Sequence, residues 1–199
     1  MSLAGEDTAL LPEADAYEQR AFGFWLYLMS DAIIFALLFA TYLVMAGNTA
    51  GGPAGSDLFS LPHTLGETLL LLTSSLTFGL ASVAMDAGRR PQLLAWLAVT
   101  FVLGLGFVAM EIREFHGMII QGAGPDRSGF LSAFFTLVGT HGLHVSAGLV
   151  FILVMITQVI AKELSQPVSS RLLRLGLFWH FLDIVWIGIF SAVYLPGIL

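Results

Sequence analysis

The chain has 199 residues, 57% of them hydrophobic and only 11% charged, with a formal net charge of −6. An ordinary soluble domain carries about a quarter charged residues, so this composition is that of an integral membrane protein. The absence of cysteine excludes disulfides, iron–sulfur clusters, c-type haem attachment and thiolate-bound copper or zinc, and the acidic balance argues against nucleic acid as a partner.

Residues 1–20 read as a flexible acidic tail carrying Glu6, Asp7, Glu13, Asp15 and Glu18. Residues 21–199 read as one transmembrane domain. No basic segment precedes a short apolar run with a small-residue cleavage site, so the sequence predicts no cleavable signal peptide. Apolar runs long enough to cross roughly 30 Å of hydrocarbon fall at about 22–46, 63–86, 92–115, 130–161 and 172–195. Only helices or closed barrels satisfy their backbone in lipid, and runs this uniformly apolar do not alternate as barrel strands do. The fold class is therefore all-α, a membrane bundle of five transmembrane helices.

Pro62 and Pro91 suit first helical turns, and Pro196-Gly197 follows the last run. The fourth run is longer than the bilayer core, so it must tilt or project beyond it. The turn-forming stretches Gly47–Gly55 and Gly122–Gly129 join helices on one side. The other side collects Arg20, Arg89, Arg90, Lys162, Arg171 and Arg174, which by the positive-inside rule predicts a cytoplasmic N-terminus and a periplasmic C-terminus.

Ionisable residues inside such segments are costly at bilayer depth and each is a functional candidate. Asp31 lies near the middle of the first run with Tyr27 one turn earlier as a donor; it can hold a proton or simply join two helices, and the structural reading is preferred. His141 and His144 share a helical face. Metal ligation would need further groups such as His180, Asp183, Glu111 or Glu114, and the alternating helix directions put these in different layers, so packing or lipid contact is preferred. Glu67 belongs to the outer layer.

Glu111 and Glu114 stand near the end of the third run, where the helix dipole disfavours negative charge, and Arg113, His116 and Arg127 are expected to compensate them in a surface network. Asp183 stands between Trp179 and Trp186, whose indole N–H groups are the expected donors. Ser75/Gly79, Gly142/Ser146 and Gly104/Gly106 offer small residues for close helix approach.

Phe22-Gly-Phe-Trp-Leu-Tyr-Leu-Met-Ser-Asp31, Thr49-Ala-Gly-Gly-Pro53, Gly124-Pro-Asp-Arg-Ser-Gly-Phe-Leu-Ser-Ala-Phe-Phe135, Gly139-Thr-His-Gly-Leu-His-Val145 and Phe178-Trp-His-Phe-Leu-Asp183 together resemble subunit III of the haem–copper respiratory oxidases. The likeness covers nearly the whole chain beyond the tail. The five-span count resembles the bacterial cytochrome o (bo-type) ubiquinol oxidase branch, since the cytochrome c oxidase branch usually has two more N-terminal spans.

The resemblance implies an accessory, non-redox subunit of a proton-pumping ubiquinol:oxygen oxidoreductase in the bacterial inner membrane. It implies partnership with subunits I, II and IV and with membrane lipids, ubiquinol as substrate of the complex, haems and copper in subunit I rather than in this chain, and bound phospholipid. Asp31 stands where the cytochrome c oxidase branch often has Glu. No catalytic, cofactor or metal role is expected of any residue here; Asp31, Glu67, His141, His144, His180 and Asp183 are expected to be lipid-binding or structural polar groups. The alternatives are subunit III of a cytochrome c oxidase, an independent ion- or proton-coupled carrier, against which the absence of internal repeats weighs, or a haem-binding electron carrier.

Overall fold

A computed structural model describes residues 11–162 and 164–198. The helices are α1 (Leu11–Met45), α2 (Gly55–Leu58), α3 (Leu61–Asp86), α4 (Arg90–Ile120), α5 (Gly129–Lys162), α6 (Gln166–Ile189), a π-helix (Phe190–Tyr194) and α7 (Leu195–Ile198), and the described residues include no strand. Among the described residues, five segments are long and apolar enough to cross a membrane: Gln19–Met45, Leu61–Asp86, Arg90–Ile120, Gly129–Lys162 and Gln166–Ile198. The first ten residues of the acidic tail lie outside the described residues.

Proline sits in the first turn of α3, α4 and α6, where its missing N–H has no intrahelical acceptor in any case. α6 starts at Gln166, earlier than the apolar run suggests, because Gln-Pro-Val-Ser-Ser-Arg is polar yet helical. α4 continues past the run's end at 115 to Ile120 for the same reason: His116 and Gly117 interrupt the hydropathy but not the helix. α3 and α4 end on left-handed glycines, Gly88 (φ +67°) and Gly122 (φ +75°). The Arg89 N–H reaches the Ala84 carbonyl and the Ala123 N–H reaches that of Met118, each at 2.9 Å, and this is the paired closure that a positive-φ residue permits.

Contacts divide the chain into two compact units, one ending at Ile34 and one running over Phe35–Leu199. The first holds the earlier part of α1, with Leu28 and Asp31 buried and Phe22, Trp25, Leu26 and Ile33 exposed. The second holds the last turns of α1 and a bundle in which α3 packs on α4, α4 on α5, α5 on α6 and α6 on α3. The end carrying the 46–60 and 121–128 connections is called the loop end below; there the Phe130 N–H donates to the Asn48 carbonyl at 3.1 Å, joining α5 to the first of these loops.

Lipid is as apolar as leucine, so these helices hold together by close packing and interhelical hydrogen bonds rather than by hydrophobic burial. Trp179 supplies much of the packing. Its ring is 1% exposed and lies between Gly104 on α4 and Gly148 on α5, where an added Cβ would come within 2.9 Å of ring atoms from either side. Gly176 on α6 takes Phe78 of α3 in the same way, at 2.8 Å. Neither Gly148 nor Gly176 belongs to the small-residue pairs that the sequence offers. Gly79, which does, has nothing within 4 Å of where a methyl group would stand.

Candidate functional site: two polar seams in the bundle

At the loop end, α3 presents His63 and Glu67, α4 presents Glu111 and Glu114, and the π-helix presents Tyr194. Glu67 is 0% exposed and Glu111 3% exposed. His63 Nε2 lies 3.3 Å from Glu67 Oε1, and the Tyr194 hydroxyl donates to Glu114 Oε2 at 2.6 Å. Both Glu111 oxygens lie where a methyl on Gly142 of α5 would be 2.5 Å away, so the glycine is what lets α5 pass this carboxyl.

The surface network expected around Glu111 and Glu114 is therefore corrected. Glu111 is buried, its carboxyl oxygens have no hydrogen-bond partner among the described residues, and Glu114 is met by Tyr194. Tyr194 reaches inward because the π-helix admits one extra residue into the last turn, a local rotation often found at functional positions.

His141 and His144 share α5 and both lie against Phe35, but their other neighbours differ. The His141 ring is fully buried, stacks on Trp186 with centroids 5.3 Å apart, and meets Phe107 edge-on at 5.8 Å. His144 Nδ1 donates to the Thr140 carbonyl one turn back at 2.7 Å and its ring lies 5.2 Å from Phe35. In the earlier part of α1, Asp31 is buried one turn after Tyr27, and neither is without a partner.

The second seam runs between α3 and α6. Ser75 Oγ and His180 Nδ1 are 2.7 Å apart, and Asp183 Oδ2 lies 3.8 Å from the same nitrogen. The indoles do not serve Asp183 as expected: Trp179 Nε1 donates to Ser74 Oγ and Trp186 Nε1 to Thr68 Oγ1, both at 3.1 Å. Both donors sit on α6 and both acceptors on α3, so they bind one helix to the other. Thr77 and Thr100 hydroxyls, 2.8 Å apart, join α3 to α4. Bonds of this kind in membranes contribute about 0.6 kcal/mol on average and up to about 1.7.

The second seam thus joins α3 to α6 through paired polar groups, whereas in the first Tyr194 meets Glu114 while Glu67 and Glu111 are buried with no hydrogen-bond partner among the described residues. Among the described residues, no group of three or more His, Cys, Asp or Glu is arranged to hold a metal ion.

Comparison with known proteins places this architecture. Residues 14–198 match the family described as Cytochrome c oxidase subunit III. The chain belongs to that family. A Pseudomonas aeruginosa protein named Cytochrome bo(3) ubiquinol oxidase subunit 3 is 55% identical over 185 residues, covering 93% of this chain and 88% of its own length. The Pseudomonas putida protein of the same name is also 55% identical, with 93% and 89% covered. A Bacillus subtilis protein named Quinol oxidase subunit 3 is 42% identical, covering 88% of this chain and 86% of its own. As a bacterial subunit III with five apolar spans, the chain is a multi-pass inner-membrane protein of an oxidase complex, with other oxidase subunits as partners.

Proposed function

We propose that this subunit III is the accessory, non-redox subunit of a proton-pumping ubiquinol:oxygen oxidoreductase. It packs beside subunit I, which carries the haems and copper, within a complex that also holds subunits II and IV and oxidises ubiquinol. The observation that carries this reading is the 55% identity, over 93% of the chain, to a protein named as a bo(3) ubiquinol oxidase subunit 3. The hydrogen bonds that cross between α3 and α6, with Ser75–His180 among them, and the stacking of His141 on Trp186 support a scaffold role for the chain, in which Asp31, Glu67, His141, His144, His180 and Asp183 are structural polar groups. The basic residues gathered at the end away from the loops support a cytoplasmic N-terminus and a periplasmic C-terminus.

Phospholipid is the second ligand of this reading. An open groove of about 210 Å³ is lined by Leu38, Thr41 and Met45 of α1 and by Gly129, Ser132, Ala133 and Thr136 of α5. Its hydroxyls turn away into backbone: Thr41 donates to the Leu37 carbonyl at 2.8 Å, Thr136 to that of Ser132 at 2.7 Å, and Ser132 to that of Pro125. What remains is an apolar trough suited to an acyl chain. Gentle detergent extraction with an affinity tag on this chain tests the assignment. Recovery with a haem-bearing partner and ubiquinol oxidase activity is the expected result; recovery of the chain alone rejects it.

A second reading, subunit III of a cytochrome c oxidase, is favoured by the 40% identity to the Bacillus sp. PS3 protein named Cytochrome c oxidase subunit 3, which covers 98% of this chain. Supplying the purified complex with ubiquinol and with reduced cytochrome c separates the two.

A further inference from the structure

Most hydroxyls on the exposed faces of these helices are satisfied at home. Ser30, Thr41, Thr136 and Thr157 each donate to a carbonyl three or four residues back on their own helix. His180 is different. Its side chain is 45% exposed, its Nδ1 is held by Ser75 at 2.7 Å with Asp183 behind it, and its Nε2 has no hydrogen-bond partner among the described residues. A hydrogen bond on one ring nitrogen fixes how the other is presented, so the imidazole is a positioned group aimed away from the bundle.

Its depth says what can meet it. His180 lies about 12 Å along the helix axis from Leu172, where the apolar run begins, and about 22 Å from Leu195, at 1.5 Å per residue. That is inside a hydrocarbon layer roughly 30 Å thick. Acyl chains offer no hydrogen bond, and leaving a polar group bare in lipid is costly. The surroundings fit a helix: Leu177 (42% exposed) and Ile184 (69%) flank His180 on α6. On α3, Ser75 and Gly79 stand one turn apart and leave that flank low, a relief that admits a closely approaching helix.

We infer that the α6 face bearing Leu177, His180 and Ile184, with the Ser75–Gly79 flank of α3, seats a membrane-spanning helix of a partner oxidase subunit, whose side chain inside the hydrocarbon layer hydrogen-bonds His180 Nε2. This rests on the accessory-subunit reading and names the surface through which it acts. Ser75 and Asp183 are positioning residues for the imidazole, and Leu177 and Ile184 form the apolar rim around it.

The test uses the tagged chain in its own membranes, with three variants: His180→Leu, Ile184→Trp, and Val102→Trp on the exposed face of α4, where Val102 is 65% exposed. The readout is haem recovered per chain after detergent purification, alongside the amount of chain present in the membrane beforehand. Loss of one interhelical hydrogen bond lowers association about three- to twenty-fold, so His180→Leu is expected to lower the haem ratio to that extent. Ile184→Trp adds outward bulk without touching the interior, so it tests the face even if His180→Leu is poorly inserted; it is expected to detach the chain while Val102→Trp does not.

Wild-type haem ratios in both α6-face variants would overturn the inference, as would equal detachment by Val102→Trp. A wild-type chain that brings down no haem protein at all would instead overturn the accessory-subunit reading itself.

Discussion

Gly148→Ala tests whether close packing around one ring holds the bundle. The new methyl would stand 2.9 Å from Trp179 Cζ3, where carbon contacts normally settle at about 3.5–4.0 Å, so ring or backbone must yield by about 0.6 Å or more. The ring cannot retreat far, because its other edge closes on Gly104 with the same 2.9 Å clearance and it is 1% exposed. Overpacking of this kind costs about 1–3 kcal/mol. Alanine also favours helix over glycine by about 1 kcal/mol, which would mask part of the strain.

Gly23→Ala supplies the reference, since Gly23 lies inside α1 with nothing within 4 Å of the added methyl. The propensity gain is common to both, so the difference between the two variants reads the strain alone, about 1–3 kcal/mol or about 2–12 °C in a chain of this size. Heat-induced aggregation of the chain in detergent-solubilised membranes, followed by immunoblot, gives the midpoints. Gly148→Ala should melt below Gly23→Ala, and adding Trp179→Phe should return part of the loss as a coupling between the two sites. A Gly148→Ala midpoint equal to or above that of Gly23→Ala would refute the reasoning.

Tyr194→Phe removes the hydroxyl that donates to Glu114 and should lower the same midpoint by the equivalent of about 1–2 kcal/mol; no change would mean that the 2.6 Å contact carries no net stability. Thr100→Val should cost about 0.6–1.7 kcal/mol and show coupling to Thr77→Val, measured as a double-mutant cycle; additive effects would deny the α3–α4 hydroxyl pair. Gly142→Val should be more disruptive than Gly142→Ala, because the larger side chain must displace the Glu111 carboxyl altogether; chain levels in the membrane report it, and equal levels would contradict the placement. Asp31→Asn should leave the initial rate of oxygen consumption by the assembled complex largely intact, and immediate loss of turnover with assembly preserved would give Asp31 a role in the reaction.

The number and type of the helices are legible in the sequence because hydrocarbon imposes length and uniform apolarity on anything that crosses it. Pro62 and Pro91 mark two helix starts for a local, steric reason. Hydropathy fails where a helix outruns the apolar layer: α4 continues past Phe115 and α6 begins before Leu172, since helical backbone does not need apolar side chains outside lipid. The partners of buried groups are less legible. Glu114 has charges near it in sequence, whereas its donor is Tyr194, 80 residues away. Asp183 has two indoles on its own helix, yet those N–H groups cross to Ser74 and Thr68. Helical periodicity states which residues share a face, and is silent on which helix that face meets. The oxidase motifs carry the family because they are long, but nothing in them marks Gly148 or Gly176 as the positions that admit an aromatic ring.

The π-helix at Phe190–Tyr194 makes chain length itself a design variable near the C-terminus. A wide turn of this kind absorbs a residue that a regular α-turn would not hold, so removing any one of those residues would not merely shorten the segment. It would swing everything beyond by about 100° around the axis, carrying the phenol away from its carboxyl and Gly197 away from Phe59, against which it packs. Deletion scanning through this stretch should accordingly be less tolerated than substitution, with the damage appearing downstream of the cut rather than at it.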